Sequence, residues 1–416
     1  MSEWKEIVLG EVINTNQSSI NRDYPFSDIL YLDTGSITRN RISSLQKFSL
    51  SEAPSRAKRL VKDLDIIFSS VRPNQLHYGI IRNPAKNLVV STGFVVISCI
   101  KHKIAPYYLY YYLSQSNTTK YLHSIAEGST SAYPSLKPGD IETFRILLPP
   151  LPEQRVIASV LSSLDDKIDL LHRQNHTLEQ MAETLFREWF VPARAVEPLA
   201  DGEETNEGWE ETTLYDAIEL VGGGTPKTSV EEYWNGGIKW LSGGDIATNH
   251  KSIVTESQKS ITEKGLNNSS AKLLPKFSTV ISARGTVGKY CILSESMTYS
   301  QSNYGIKPKF KDCFFFTYLL VNHSVEELNS AAYGSVFDTI TTNTFKGLEI
   351  TIPSEEEIQS FEKKVKEYFF KILNNQTQIR TLTALRDTLL PKLMSGEVRV
   401  TNSWEASKTS NQITQE

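Results

Sequence analysis

Cysteine is scarce: the 416 residues hold three, Cys99, Cys291 and Cys313. An odd number with no CxxC pair excludes a disulfide framework and a zinc finger, and reads as reduced, buried thiols of a cytoplasmic protein. Long apolar runs are also missing. The longest, "LVVSTGFVVISCI" from Leu88, is too short and interrupted to cross a bilayer, and no N-terminal apolar segment resembles a secretory signal. Nor is there an excess of basic charge, since 44 Lys and Arg stand against 48 Asp and Glu. Catalytic signatures are equally thin. No nucleophile–His–acid order is visible, and "GTVGKY" (Gly285–Tyr290) lacks the first Gly and the Ser/Thr of a phosphate loop. His172 and His176 stand four apart without a third ligand, which fits the solvated flank of a helix better than a metal pair. With 39% apolar and 22% charged residues, the chain reads as two or three ordinary globular domains.

What is present is a repeat. Shifted by 204 positions, Leu148-Pro149 falls on Ile352-Pro353 and Glu153 on Glu357. Ile157, Leu161, Leu164 and Ile168 fall on Phe361, Val365, Tyr368 and Ile372, and Leu178, Met181 and Leu185 on Leu382, Leu385 and Leu389. Ungapped steps of three and four residues are the heptad seam of a coiled coil. Each stretch opens after prolines ("PPLPEQ", "IPSEEE") with acidic residues in its first turn, where the helix dipole favours them. Pro192 is expected to end the first helix, and Pro391 to end or kink the second. A helix of about forty residues is roughly 57 Å long. Alone it would leave its seam in water, so each copy is the expected partner of the other. Each seam also carries one asparagine, Asn175 and Asn375, equivalent to Ile379 and Leu171. With a dyad near position 173 the two face each other in one polar layer; another heptad centre separates them.

The segments ahead of the helices repeat more loosely. "WKEIVLGEVI" from Trp4 matches "WEETTLYDAI" from Trp209, "DIIFSSVR" (Asp65–Arg72) matches "TVISARG" (Thr279–Gly285), and "EGSTSAY" from Glu127 matches "YGSVFDT" from Tyr333. Short β-like runs between Gly, Asn and Ser clusters predict mixed, strand-rich globular domains. The fold class expected is therefore α+β: two strand-rich domains joined by two long helices in an antiparallel coiled coil, with a pseudo-two-fold axis. The division is a first domain at 1–146, a long helix within 147–191, an acidic linker at 192–207, a second domain at 208–346, a second helix within 347–400 and a disordered tail at 401–416. Net charge is +5 over 1–146, −3 over 147–191 and −4 over 192–207, which leaves the first domain basic.

At this point the chain resembles the specificity subunits of type I restriction–modification systems. The resemblance rests on "LPPLPEQRVIASVLSSLDDKI", "NHTLEQMAETLFREWF", "TLTALRDTLLPKLMSGEVRV" and "GGGTPKT" with "YWNGGIKWLSGGDI", in that order on the repeat. It implies two target-recognition domains, each reading one half of a split double-stranded DNA site, with a helix pair that fixes the gap. It implies a non-catalytic subunit with no cofactor of its own. Two adenine-methyltransferase subunits using S-adenosylmethionine, and restriction/translocase subunits using ATP and magnesium, are the implied partners. The opening "SEEEIQSFEKKVKEYFFKI" departs from the usual LPEQ-like start of the second helix. The [ND]PP[FYW] motif of adenine methyltransferases is absent, as "NPAK" and "LPPLP" both fail it.

DNA contacts need Arg and Lys for phosphates and Asn, Gln, Arg, Ser or Thr for base edges. In the first domain "SSVRPNQLHYG" gathers Arg72, Asn74, Gln75, His77 and Tyr78 in one polar loop. "EGSTSAY" offers Ser129, Thr130 and Tyr133, and "TRNRI" offers Arg39 and Arg41. In the second domain the candidates are Thr225 and Lys227, then Arg284, Thr286 and Lys289, then Ser335 and Asn343. The bland reading of each is an ordinary solvated turn. The seam residues are Ile157, Leu161, Leu164, Ile168, Asn175, Leu178 and Leu185, facing Phe361, Val365, Ile372, Asn375, Leu382 and Leu389. The rival to a DNA-binding subunit is a coiled-coil adaptor whose domains bind protein, which the basic first domain and the matching polar loops disfavour.

Overall fold

The computed structural model describes residues 4–128, 135–191, 209–333 and 338–400; the acidic linker and the tail lie outside the described residues. The chain forms two compact units, one of residues 1–169 with 380–416, the other of residues 170–379. This division cuts across the helices, because each unit needs half of each helix to cover its core.

The first unit begins with β1 (Lys5–Val8), β2 (Ile13–Thr15), β3 (Asp28–Leu32), β4 (Ile37–Thr38), β5 (Arg41–Ile42) and β6 (Gln46–Ser49). It continues with β7 (Ala57–Leu60), β8 (Ile66–Ser69), β9 (Tyr78–Ile80), β10 (Leu88–Ser91) and β11 (Phe94–Cys99). Then come α1 (Pro106–Ser114), α2 (Ser116–Glu127), α3 (Pro138–Glu142), β12 (Arg145–Leu148) and the start of α4 (Leu151–Phe190). Two four-stranded sheets form, in the orders β2-β11-β8-β9 and β6-β3-β10-β7. The apolar run "IIFS" is buried on both faces because side chains alternate along a strand. Ile66 and Phe68 join Val95 and Ile97 against Tyr108, Leu109 and Leu122 of the helices. Ile67, Phe94 and Val96 point the other way, to Leu32, Leu88 and Val90 of the second sheet. The result is three layers, sheet on sheet on helix.

The second unit repeats this order. It holds β13 (Glu210–Thr213), α5 (Leu214–Ala217), β14 (Ile218–Gly222), β15 (Trp234–Leu241), α6 (Gly243–Thr248), β16 (Ile253–Val254), β17 (Lys259–Ile261) and α7 (Glu263–Asn267). It continues with β18 (Thr279–Ser282), β19 (Tyr290–Leu293), β20 (Thr298–Tyr299), β21 (Asn303–Pro308), α8 (Phe314–Tyr333), α9 (Thr342–Lys346), β22 (Glu349–Ile352) and α10 (Glu355–Ser395). A sheet β14-β21-β18-β19-β16 takes the place of β2-β11-β8-β9. Again the strand faces alternate: Ile281 and Ile292 meet Phe315 and Leu319 of α8, while Val280, Cys291 and Leu293 meet Leu241 and Tyr299. In both units the first strand pairs antiparallel with the strand before the long helix, Lys5 opposite Leu148 and Glu210 opposite Ile352.

The helices α4 and α10 span 40 and 41 residues. In the first unit the N-terminal half of α4 lies antiparallel to the C-terminal half of α10: Arg386 Nη1 donates to Asp165 Oδ1 at 2.8 Å and Arg399 Nη1 to Glu153 Oε1 at 2.7 Å. In the second unit the other halves meet, with the Phe190 and Phe361 rings 4.8 Å apart. Ile157, Leu161, Ile168, Phe361, Val365 and Ile372 are buried, as is Asn375, while Asn175 keeps 7% exposure. Leu164, Leu178, Leu185, Leu382 and Leu389 are half-buried. Two expectations are corrected. Pro391 does not end α10, which continues to Ser395 because Leu393 and Met394 are buried in the first unit's core. Met181 and Leu385 lie outside the seam, each 45% exposed, while Ala182 and Phe186 take the inner face instead.

The long helices also cap their domains. Gln154 Oε1 accepts the Ala105 N–H at the start of α1, and its Nε2 donates to the Pro149 carbonyl, both at 2.8 Å. In the second unit the buried Glu362 accepts the Phe315 and Phe316 N–H groups at the start of α8. At the opening of α10, Ser354 and Glu357 bond reciprocally, which replaces the proline-rich start of α4. All three cysteines are free; Cys291 and Cys313 are buried and Cys99 half-buried. Among the described residues no helix is long and apolar enough to cross a membrane, and no three His, Cys, Asp or Glu side chains could hold a metal ion.

Candidate nucleic-acid interface

In the first unit, β8 and β9 are joined by a turn whose backbone is forced into unusual conformations. Ser69 Oγ donates to the Val71 carbonyl at 2.8 Å and Ser70 Oγ to the Gly93 carbonyl at 2.8 Å, which fixes the exit from β8. Arg72 and Leu76 then adopt φ of 47° and 60°, on either side of a single 3-10 turn at Pro73–Gln75. Left-handed residues other than glycine each cost of order 1–3 kcal/mol, and such strain gathers where a surface is shaped for a ligand. Arg72, Asn74 and Gln75 project from this turn and are exposed.

A second strained turn packs beside it. Thr38 pairs with Arg41, so Arg39 and Asn40 form a two-residue hairpin tip with φ of 47° and 66°. Both positive values mark the type I′ turn that suits the twist of a hairpin. The Arg39 N–H donates to the Leu76 carbonyl at 2.9 Å and the Asn40 N–H to the Tyr78 carbonyl at 2.8 Å. His77 Nδ1 lies 2.6 Å from the Ile37 carbonyl oxygen, which places the proton on that nitrogen. The close approach depends on Gly79, where a Cβ would lie 2.6 Å from Ile37 Cδ1 and 2.8 Å from Asn40 Oδ1. Arg39, Arg41, Arg72, Asn74, Gln75 and His77, drawn from separate stretches of sequence, thus share one edge of the unit.

Tyr78 does not belong with them. It opens β9, is 6% exposed and stacks on Phe68 with ring centroids 5.8 Å apart, so it serves the core instead of a polar loop. Ser129, Thr130 and Tyr133 lie outside the described residues, but Ser135 bridges Val71 just after them.

The equivalent turn in the second unit joins β18 to β19 and carries Arg284, Thr286 and Lys289. The Ser282 N–H donates to the Lys289 carbonyl at 2.7 Å, and the Gly288 N–H to the Ser282 carbonyl at 2.9 Å. Arg284 and Lys289 are exposed. Thr286 is turned inward: its hydroxyl lies 2.9 Å from Ser282 Oγ and donates to the Gly243 carbonyl at 3.2 Å. It clamps two loops together, a role its place in a polar Gly-rich stretch did not signal. The loop with Thr225 and Lys227 is held by the Gly223 N–H on the Asn303 carbonyl, beside the point where Ser282 pairs with Asn303. Lys227 is exposed and Thr225 half-buried. Asn343 is exposed on α9, and the Ile340 N–H before it donates to the Ala283 carbonyl at 3.1 Å. Ser335 lies outside the described residues.

A cleft of about 400 Å³ in the first unit runs from Arg39 past Tyr78, Tyr110 and Tyr111 to Asp165 and Arg386. Tyr111 Oη donates to Asp165 Oδ2 at 2.8 Å, and Arg386 Nη1 holds the other carboxylate oxygen. Burial pushes the Tyr111 phenol far above its ordinary value, and Asp165 pushes it further, so it remains a donor. The polar seam positions of Asp165 and Arg386 were the available signal, and sequence reasoning missed the network because Tyr111 lies on a different element.

A family model for the type I restriction modification DNA specificity domain matches residues 1–180 and again residues 206–384. The chain is 28% identical to the type I restriction enzyme HindI specificity subunit of Haemophilus influenzae, across 96% of this chain and 100% of that one. It is 29% identical to the type I restriction enzyme MjaIX specificity subunit of Methanocaldococcus jannaschii, across 78% of this chain and 75% of that one. Its fold is similar to that of a type I restriction–modification S subunit from M. genitalium, with a TM-score of 0.59 at 14% identity over 96% and 97% of the two chains.

Proposed function

The chain belongs to the type I restriction modification DNA specificity family, carrying its domain twice, and from that premise we propose that its two domains read the two halves of a split double-stranded DNA site. It is the non-catalytic DNA-recognition subunit of a type I restriction–modification complex. One observation carries the two-reader reading. The turns between β8 and β9 and between β18 and β19 occupy the same place in the two sheets, and each presents exposed cationic residues, Arg72 in one and Arg284 with Lys289 in the other. In this reading the arginines and lysines hold phosphates, while Asn74, Gln75 and the residues around them face base edges. The helix pair sets the gap between the half-sites.

The subunit takes no cofactor itself. Two adenine-methyltransferase subunits using S-adenosylmethionine, and restriction/translocase subunits using ATP and magnesium, join it in the cytoplasm. The test is DNA affinity against salt. Each lost phosphate contact reduces the slope of log K against log salt by about 0.9. The combined variant Arg39→Ala, Arg72→Ala, Arg284→Ala, Lys289→Ala should bind its site with a slope shallower by about 3.6. An unchanged slope would remove these turns from the interface and favour the protein-binding adaptor.

A further inference from the structure

Two neighbouring layers of the helix seam in the second unit are opposite in character. In one, Asn375 Nδ2 donates to Asn175 Oδ1 at 2.8 Å. One helical turn away, the antiparallel register sets Leu171, 1% exposed, towards the half-buried Ile379. The repeat of 204 residues maps Leu171 onto Asn375 and Asn175 onto Ile379. The two layers are therefore equivalent places in the repeat, yet one is wholly polar and the other wholly apolar.

Replacing one helix by a like helix changes this. If α4 faced α4 of a second copy in the same register, residues 171 and 175 would oppose each other, and both layers would set an Asn against a Leu. If α10 faced α10, both layers would set Asn375 against Ile379. Each such mismatch strands a buried amide without its partner, which costs far more than a matched layer gains. Only the unlike pair, α4 with α10, matches like with like twice. Even then Asn375 Oδ1 meets no hydrogen-bond donor among the described residues, so this layer stabilises less than an aliphatic one would. A seam polar residue kept at that cost acts on register and partner choice.

We propose that the Asn175–Asn375 layer is a pairing code that makes α4 select α10 and reject the like helix of a second copy of this chain. The code does not depend on what the two domains read. The test uses the full-length chain. Leu171→Asn with Asn175→Leu creates two mismatches and should lower Tm by about 5 °C or more. Adding Asn375→Ile with Ile379→Asn moves the polar layer one turn along and restores the match, so most of the lost Tm should return. Refolding tagged with untagged copies then reads selectivity. The chain with Asn175→Leu and Asn375→Leu should carry at least about five-fold more untagged copy through capture than the unaltered chain, because the rejection of like helices is gone. An unaltered Tm in the doubly substituted chain, no recovery in the fourfold variant, or equal capture would each overturn the proposal.

Discussion

Asp165→Ala should be among the most damaging single changes in the first unit. Asp165 holds Arg386 Nη1 on one oxygen and Tyr111 Oη on the other, both at 2.8 Å. The Arg386 and Asp165 side chains are 23% and 17% exposed, and Tyr111 is 2% exposed. Breaking a fully buried ion pair costs about 3–5 kcal/mol. Partial exposure and the second carboxylate on Arg386, Asp387 at 2.7 Å, bring that below this range, to about 2 kcal/mol. Stranding the Tyr111 hydroxyl adds part of a further 1–3 kcal/mol. A total of about 3 kcal/mol corresponds to a Tm lower by about 6–12 °C for a unit of this size. Asp165→Asn keeps an acceptor for Tyr111 and should cost about half as much, and Tyr111→Phe about 1 kcal/mol. Calorimetry with urea denaturation of the three variants measures the series. A loss below about 1 kcal/mol for Asp165→Ala, or Asp165→Asn costing more than Asp165→Ala, would refute the reasoning.

Gln154→Leu strands both the Ala105 N–H and the Pro149 carbonyl at a site 1% exposed, and should lower stability by about 2–3 kcal/mol in the same denaturation assay. Burial pushes the Glu362 carboxyl up to about 7 from an ordinary 4.5, against the pull of the Phe316 and Phe315 N–H groups. Its folded value is the higher one, so the stability it contributes is complete below pH 4.5 and is lost as pH rises through about 7. Burial pushes Glu179 up to about 7 as well, with Glu183 adding to it. The second unit's melting temperature should therefore fall between about pH 4.5 and 7 and level off above that, and Glu362→Gln with Glu179→Gln should flatten the fall. Gly288 has a φ of 75° and a Cβ there would lie 2.0 Å from Asn329 Oδ1. Gly288→Ala should distort the Arg284–Lys289 turn, weakening DNA binding in a mobility-shift titration while leaving the fold of the first unit intact.

The helices were the most legible part of the molecule because a heptad seam is a local pattern, repeated often enough to fix both length and partner. The Asn175–Asn375 bond matches a dyad near position 173, one of the heptad centres that the sequence left open. Where the pattern meets tertiary packing it fails. Pro391 reads as an end or a kink, yet the apolar Leu393 and Met394 carry the helix past it. Met181 and Leu385 follow a local step of three and four residues, but the heptad that runs through Leu161, Ile168 and Asn175 reaches Ala182, which takes the inner face together with Phe186. In the candidate interface the polar turns were visible and their inner structure was not. Tyr78 and Thr286 sit among polar neighbours, and only the fold shows that one belongs to a strand's core face and the other to a clamp.

The central claim is that one chain carries two independent DNA readers held at a fixed separation. The most direct measurement maps adenine methylation in DNA from cells making this chain with its methyltransferase partner, alongside the same cells making the Gly288→Ala variant. The account predicts a split motif with a fixed gap, and degraded specificity in one half only for the variant. A complex that assembles but leaves no new motif, or a variant that degrades both halves equally, would contradict it.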